Sequence, residues 1–378
     1  VKFYGDFKLG VLGGGQLGRM LIQAATDLNI DIYCLDPDAS APCANLAKGF
    51  EIGSLTDFDT VYKWGKDKNL ITIEIENVNV EALAKLQAEG IKVFPQPEVI
   101  KVIQDKRTQK QFYKEKNIPT SDFILTDTVE DIKNNTSFFP AFQKLGRSGY
   151  DGRGVQHLET VADLPKALEG LSLLEKKVDY EKEISVVVAR NEKGEVSAFP
   201  VVELVYHPVY NLVEYLFAPA EITATQMKKA TDVALNVITQ LNMVGLLAVE
   251  MFLDKKGEII VNEVAPRPHN SGHQSIEANF TSQYEQHLRA ILNLPLGSTN
   301  QIMPAAMVNL LGEEGFSGPS QYEGLEEALA IEGVHIHLYG KKVTKPFRKM
   351  GHITIMDENF QSLKQKVEKV KEIVKVKA

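Results

Sequence analysis

The sequence has 378 residues, 44% of them hydrophobic and 24% charged, with a net charge of −8 and two cysteines. That length exceeds one ordinary domain, so two or three are expected. The acidic balance excludes a general nucleic-acid binder, two thiols (Cys34 and Cys43) make no disulfide framework, and no apolar run approaches the roughly 18 residues of a membrane span.

An acidic protein can still carry a local basic cluster, so phosphorylated small molecules stay open as ligands. Val1 to Asp6 carries no signal-peptide pattern. A soluble, cytoplasmic protein with neither a nucleic-acid nor a membrane partner is the expectation.

The predicted elements begin with an apolar strand, Leu9 to Leu12, a turn at Gly13 to Gly15, and a helix from Gln16 to Asn29 with Leu17, Met20, Leu21 and Ala24 on one face. Strands follow at Ile30 to Leu35 and Leu70 to Ile75, with helix signals at Phe58 to Lys66 and Val80 to Glu89. Alternating strands and helices predict a parallel α/β unit running to about Val99. Asp105 to Lys116 reads as a connecting helix. From Pro119 to about Asp179 the pattern gives strands, a glycine-rich loop and a helix at Val161 to Glu169. Strands dominate from Lys182 to Phe217. A long amphipathic helix spans Thr225 to Asn242, a hairpin Leu246 to Glu263, and another helix Ser282 to Leu292. Past Pro304 come short strands and a short helix at Glu326 to Ala330. Phe360 to Lys375 closes the chain with an apolar stripe of Leu363, Val367, Val370 and Val374.

The hairpin carries the most chemical information. Two apolar runs flank Asp254-Lys255-Lys256-Gly257, which is turn chemistry. A two-residue loop pairs Leu253 with Glu258 and sets Glu250 opposite Val261. Glu250 and Glu263 then share a face as diagonal neighbours, a parity that a three-residue loop would destroy. Two carboxylates beside Asn262, near a run rich in Arg and His, suit a hard cation carrying a phosphate; solvated acids on an exposed hairpin are the alternative.

Gly13-Gly-Gly-Gln-Leu-Gly18 matches G-x-G-x-x-G between a strand and a helix, with Asp36 ending the second strand. A dinucleotide, another nucleotide, a sugar phosphate or tight packing alone would each use such a turn. In Lys144 to Gly154, between two strands, Gly149, Gly152 and Gly154 stand with the cations Lys144, Arg147 and Arg153, which reads as a lid over a triphosphate. Leu173 to Val178, followed by Glu183, offers a strand edge for a purine and a carboxylate for ribose. Glu74 and Glu76 end a parallel strand, where they can hold ribose hydroxyls or cap the next helix. Lys341 to His352 carries five Lys and Arg cations around a turn, enough to clamp a phosphate dianion or to form a solvated basic loop.

In this order GGGQLGRM, EIEN, DKRTQKQF, SGYDGRG, EKKVDYEKEISVVVAR, NEVAPRPHNSGH and FRKMGHI resemble the ATP-grasp superfamily, and within it the 5-(carboxyamino)imidazole ribonucleotide synthetase family. The resemblance covers nearly the whole chain. It implies an α/β protein with an N-terminal Rossmann-like parallel α/β domain (1–104), central ATP-grasp α+β domains (105–297, lid about 119–180) and a small C-terminal β-rich domain (298–378).

It further implies ATP and Mg2+ as cofactors, and aminoimidazole ribonucleotide and bicarbonate as substrates of a homodimer. Lys106 and Lys144 would contact phosphates, with Gly149, Tyr150, Asp151, Gly152, Arg153, Gly154 and Val155 forming the lid. Glu175, Lys176, Lys177 and Val178 would frame adenine. Glu183 and His207 would lie on the nucleotide side, and Glu250 and Glu263 would bind magnesium beside Asn262. Gln16, Leu17, Glu76, Arg153, Asn270, Ser271, Lys341 and Arg348 would hold the ribonucleotide, with Tyr150, Asp151, Arg267 and His269 catalytic. Asp151, His269 and released phosphate are the candidate bases.

Two departures from the family pattern stand out. Ser148 replaces the first of two glycines before Tyr150, and Lys345-Pro-Phe-Arg348 replaces Arg-Pro-Gly-Arg, putting Phe347 where glycine's conformational freedom is expected. The competing readings are another ATP-grasp carboxylate–amine ligase such as a glycinamide ribonucleotide transformylase, a biotin carboxylase, a nicotinamide dehydrogenase resting on the first glycine motif, and a non-enzymatic nucleotide-binding scaffold.

Overall fold

A computed structural model describes residues 5–147, 154–207 and 212–378. The first unit is a five-stranded parallel sheet in the order Gly49–Ile52, Asp31–Asp36, Lys8–Leu12, Leu70–Ile73, Lys92–Val93. Its central strands are buried from Leu9 to Leu12 and from Leu70 to Ile73 because helices cover both faces. The strand order reverses on either side of Lys8–Leu12, so a crevice opens beyond the carboxyl ends of the central strands.

The second sheet has four antiparallel strands in the order Phe123–Thr126, Ser172–Lys176, Ala141–Leu145, Val155–Leu158. Instead of the expected helix at Val161 to Glu169, residues Val161–Lys166 form a 3₁₀ helix. Pro165 lacks the amide that a longer α-helix needs. The helix Val129–Asn134 went unpredicted, being too short for an apolar period. A reciprocal cap between Thr128 and Asp131 starts it.

The third sheet has nine strands among the described residues, all pairing antiparallel. Its path runs Ile259–Ala265, Gly245–Asp254, Tyr180–Arg190, Val202–Tyr206, Val213–Ala218, Ala305–Leu311, Lys349–Met356, Val334–Leu338, with Val196–Ala198 beside Tyr180–Arg190. The pairing of Val213–Ala218 with Ala305–Leu311 carries this sheet across position 297, where the sequence marks a domain boundary. The helix Ala224–Gln240 buries Ala230, Ala234, Val237 and Ile238 against one face. The closing helix, Phe360–Ile373, buries Leu363, Val367 and Val370 against Val308, Ile353 and Ile355, as its stripe predicts.

The units share a core where Leu17, Met20 and Leu21 of the helix Gln16–Asp27 meet Tyr284, Leu288 and Ile291 of the helix Gln283–Ile291. A buried hydrogen bond of 2.9 Å between Thr72 Oγ1 and His287 Nε2 crosses the same junction. This contact sets the crevice of the first sheet against the hairpin and the loop that follows it. Among the described residues no helix is long and apolar enough to cross a membrane.

Candidate active site

The hairpin strands are Gly245–Asp254 and Ile259–Ala265. The turn is not the expected two-residue loop. Leu253 pairs with Ile259, and Lys255, Lys256 and Gly257 connect the strands, with Gly257 at φ +80°. Asp254 holds the turn by accepting from the Lys256 and Glu258 amides, each at 2.8 Å. A three-residue connection alone would set Glu250 opposite Asn262 and turn Glu263 to the other face. A β-bulge adds a second one-residue shift in the same direction, which restores the shared face. Met251 still pairs with Val261, but Glu250 pairs with Glu263, so Asn262 is the extra residue. The two carboxylates therefore stand directly opposite rather than diagonally.

Opposite Glu263 and Asn262 lie two lysines. Lys106 opens the helix Lys106–Glu115 and donates to Glu263 Oε2 at 3.0 Å. Lys144 donates to Asn262 Oδ1 at 3.0 Å and pairs with Glu175 Oε2 at 2.5 Å. Lys106, ahead of the opposing effect of burial, holds the Glu263 carboxyl below the usual carboxylate range. Burial, then the facing Glu263 and Glu183, pushes Glu250 upward. The donor set is hard oxygen, and Glu250 lies within ion-pair distance of His269. Such a pair fits a magnesium ion, which takes one or two carboxylates and completes its shell with phosphate and water. Among the described residues no group of three His, Cys, Asp or Glu side chains forms a closed all-protein metal cage.

On the far side, Arg267 Nε pairs with Glu76 Oε1 at 2.9 Å, joining the first sheet to the loop after the hairpin. His269 Nε2 lies 3.5 Å from Glu250 Oε1, while its Nδ1 accepts the Ser271 amide at 3.3 Å. Burial, then Arg267 and Lys349, pushes this imidazole well below the usual histidine range, so it is neutral with its proton on Nε2. Glu183 is pushed up by burial, against hydrogen bonds from Tyr180 and Tyr206.

Several expected contacts are already engaged within the protein. Asn270 and Asn309 exchange side-chain amide hydrogen bonds at 2.8 and 2.9 Å. Ser271 Oγ, buried, bonds Ser185 Oγ at 2.8 Å and His269 Nδ1 at 2.9 Å, so it positions the imidazole. Leu17 belongs to the core, leaving only its backbone for a ligand, while Gln16 opens the same helix half-buried. The Glu175 carboxylate lies between Lys110 and Lys144, so the strand Ser172–Lys176 has only its backbone to present to a purine. Lys177 pairs with Glu159 at 3.1 Å and Lys176 lies over the Phe138 ring, while Val178 is half-buried beside them. His207 donates its amide to Leu212 at 2.8 Å. Gly154 and Val155 lead into the strand beside Lys144; Gly149, Tyr150, Asp151, Gly152 and Arg153 lie outside the described residues.

At the basic turn, Lys341 Nζ donates to Lys349 O and Arg348 to Val343 O, both at 2.7 Å. Phe347 adopts φ +64°, in the left-handed region that favours glycine, and its amide donates to Gly312 O at 2.8 Å. For a residue with a Cβ that conformation costs about 1–2 kcal/mol.

The first glycine motif has a different use from the dinucleotide reading. Gly14 N donates to Asp36 Oδ2 at 2.7 Å, Gly18 N to Glu74 Oε2 at 2.6 Å, and Gly15 N to Glu74 Oε1. Glu74 thus caps the helix Gln16–Asp27, not the next helix, which Asn79 caps. A Cβ on Gly13, which has φ +104°, would sit 2.4 Å from Glu74 Cγ. The glycines make room for the protein's own carboxylate, where a dinucleotide would have placed its pyrophosphate.

Three family profiles match in sequence: a ribonucleotide synthetase preATP-grasp domain over residues 7–104, an ATP-grasp domain over 111–284, and a phosphoribosylaminoimidazole carboxylase C-terminal domain over 305–366. An N5-carboxyaminoimidazole ribonucleotide synthase of Bacillus subtilis is 36% identical over 95% of this chain and 94% of its own length. The chain belongs to the N5-carboxyaminoimidazole ribonucleotide synthase family. It spans only 65% of a chloroplastic phosphoribosylaminoimidazole carboxylase of Vigna aconitifolia, at 38% identity over 94% of the chain. The family's Thermotoga maritima crystal structure superposes with a TM-score of 0.91 at 43% identity, covering 98% of this chain and 99% of the other. An Aspergillus clavatus structure in complex with ADP and 5-aminoimidazole ribonucleotide superposes at 0.88 with 32% identity, covering 97% and 98%. Membership accounts for the hairpin and the basic turn together, which a dehydrogenase leaves unexplained.

Proposed function

We propose that the chain carboxylates 5-aminoimidazole ribonucleotide with bicarbonate, at the expense of ATP, to 5-(carboxyamino)imidazole ribonucleotide, ADP and phosphate, a step of purine biosynthesis. The observation that carries this reading is the bulge at Asn262, which sets Glu250 opposite Glu263 between the Lys106–Lys144 side and the Arg267–His269 side.

Lys106 and Lys144 bind the phosphates, and the backbone from Glu175 to Val178 borders the adenine. Glu183 and His207 lie on the ribose side. Glu250 and Glu263 hold magnesium, which when bound neutralises charge between the β- and γ-phosphoryl oxygens. A bicarbonate oxygen attacks the γ-phosphorus as the bond to ADP breaks, giving carboxyphosphate. This short-lived species splits to carbon dioxide and phosphate, so the site must exclude water; that is the role read for the lid residues 149–155. The amine nitrogen of the ribonucleotide attacks the carbon dioxide carbon and gives up one proton.

His269 carries its own proton on Nε2, so it donates a hydrogen bond to the carboxylate being formed. The proton acceptor is then Asp151 or the released phosphate. Arg267, steadied by Glu76, faces the same carboxylate, and Lys341 and Arg348 take the ribonucleotide phosphate. Membership of the family also motivates a homodimer, which light scattering reads directly.

ADP release with ATP and magnesium, with and without the ribonucleotide and bicarbonate, tests the reading. Release that requires the ribonucleotide and yields a labile carboxylated product is expected. Release that depends instead on glycinamide ribonucleotide and formate would move the chain to the transformylase reading.

A further inference from the structure

Lys110 lies one helical turn beyond Lys106 on the helix Lys106–Glu115, so both ammonium groups leave the same face. Lys106 reaches Glu263. Lys110 is buried, 2% exposed, and pairs with Glu175 Oε1, itself 4% exposed. The other oxygen of Glu175 takes Lys144 at 2.5 Å. One buried carboxylate therefore carries two ammonium groups, only one of which reaches the hairpin, where Lys144 donates to Asn262.

The two lysines differ in their freedom to move. Lys110 Nζ also donates to Thr120 Oγ1 and to Ser121 Oγ at 3.3 Å, and Thr120 in turn donates to Val261 O at 2.8 Å. Among the described residues, the side-chain polar partners of Lys144 are Glu175 and Asn262. When phosphates draw Lys144 forward, Glu175 loses one cation. A buried carboxylate left with no counter-ion is strongly destabilised, enough to hold Lys144 back.

We infer that Lys110 is a positioning residue: it is the fixed counter-ion of Glu175, and its presence is what allows Lys144 to leave that carboxylate for the nucleotide phosphates. The inference rests on the reading of Lys144 as a phosphate contact. Burial pulls Lys110 down to about 8, against the pull of Glu175, so the group is charged at neutral pH. Burial also works against the charge on Glu175, yet Lys144 and Lys110 together keep it below the usual carboxylate range.

The test is equilibrium binding of ADP in EDTA, measured by calorimetry on the full chain, with circular dichroism to confirm folding. Lys110→Met leaves Glu175 with Lys144 alone and is expected to weaken ADP binding about tenfold or more. Lys110→Met combined with Glu175→Gln removes the charge that would restrain Lys144. This double variant is expected to regain ADP affinity at least about threefold relative to Lys110→Met. Unchanged binding in Lys110→Met overturns the inference. So does a double variant that binds ADP no more tightly than Lys110→Met, and so does an about tenfold loss in Lys110→Arg, which keeps the charge and can be read even if Lys110→Met does not fold. Lys144→Met is the control: if it binds ADP as the unmodified chain does, Lys144 does not contact the phosphates and the inference falls with that reading.

Discussion

Glu250 and Glu263 stand directly opposite one another on neighbouring strands only because Asn262 is an extra residue in the ladder. The turn shifts the register by one residue, and the bulge shifts it by one more. Two irregularities that would each separate the carboxylates together bring them face to face, and the bulged residue is spent on Lys144.

Glu263→Gln is expected to abolish ADP formation while leaving thermal unfolding close to that of the unmodified chain. The substitution keeps the shape and hydrogen-bonding reach of the side chain but removes the anion that Lys106 now holds. Turnover near the original rate would remove the carboxylate pair from the chemistry.

Lys341→Ala should raise the KM for the ribonucleotide far more than the KM for ATP. Its ammonium donates to the carbonyl of Lys349, whereas the ammonium groups of Lys106 and Lys144 reach Glu263 and Asn262. Steady-state kinetics with each substrate varied in turn decides this; equal rises in both would place the phosphate clamp elsewhere.

Glu74→Ala should destabilise the first unit by about 1–3 kcal/mol, because the Gly15 and Gly18 amides at the start of a helix lose their acceptor. Denaturant unfolding measures the change. A neutral effect would mean that water serves those amides equally well. The same site predicts no nicotinamide dinucleotide binding to the unmodified chain, since Asp36 and Glu74 hold the amides that would take its pyrophosphate.

Stability should fall on mild acidification. Burial pushes His287 from an ordinary 6.5 down to about 3. The unfolded chain therefore binds the proton first. The stability from this group is complete above 6.5 and is lost as pH falls from 6.5 toward 3, at about 1.4 kcal/mol per pH unit. Unfolding at pH 7 and pH 5 should differ by about 2 kcal/mol from His287 alone. Burial also displaces His269, His273 and His352 downward, which steepens the fall. His287→Gln, which can keep a hydrogen bond to Thr72, should flatten the profile; an unchanged slope would show that the proton goes elsewhere.

The local alternation of residues was enough to mark the parallel first unit, the long helices and the hairpin, because burial on one face imposes a period that a single segment displays by itself. The glycine run and its flanking acids were also legible as a constellation, and the resemblance extended along nearly the whole chain. What a segment cannot display is its partner. That Glu74 would reach across to fill the glycine turn, that Asn270 would be spent on Asn309, and that Lys110 would share Glu175 with Lys144 depend on contacts between groups dozens of residues apart. The bulge at Asn262 is of the same kind. Strand pairing has a period of two, so one additional residue decides which face a side chain occupies, and only packing of the whole sheet selects where that residue goes.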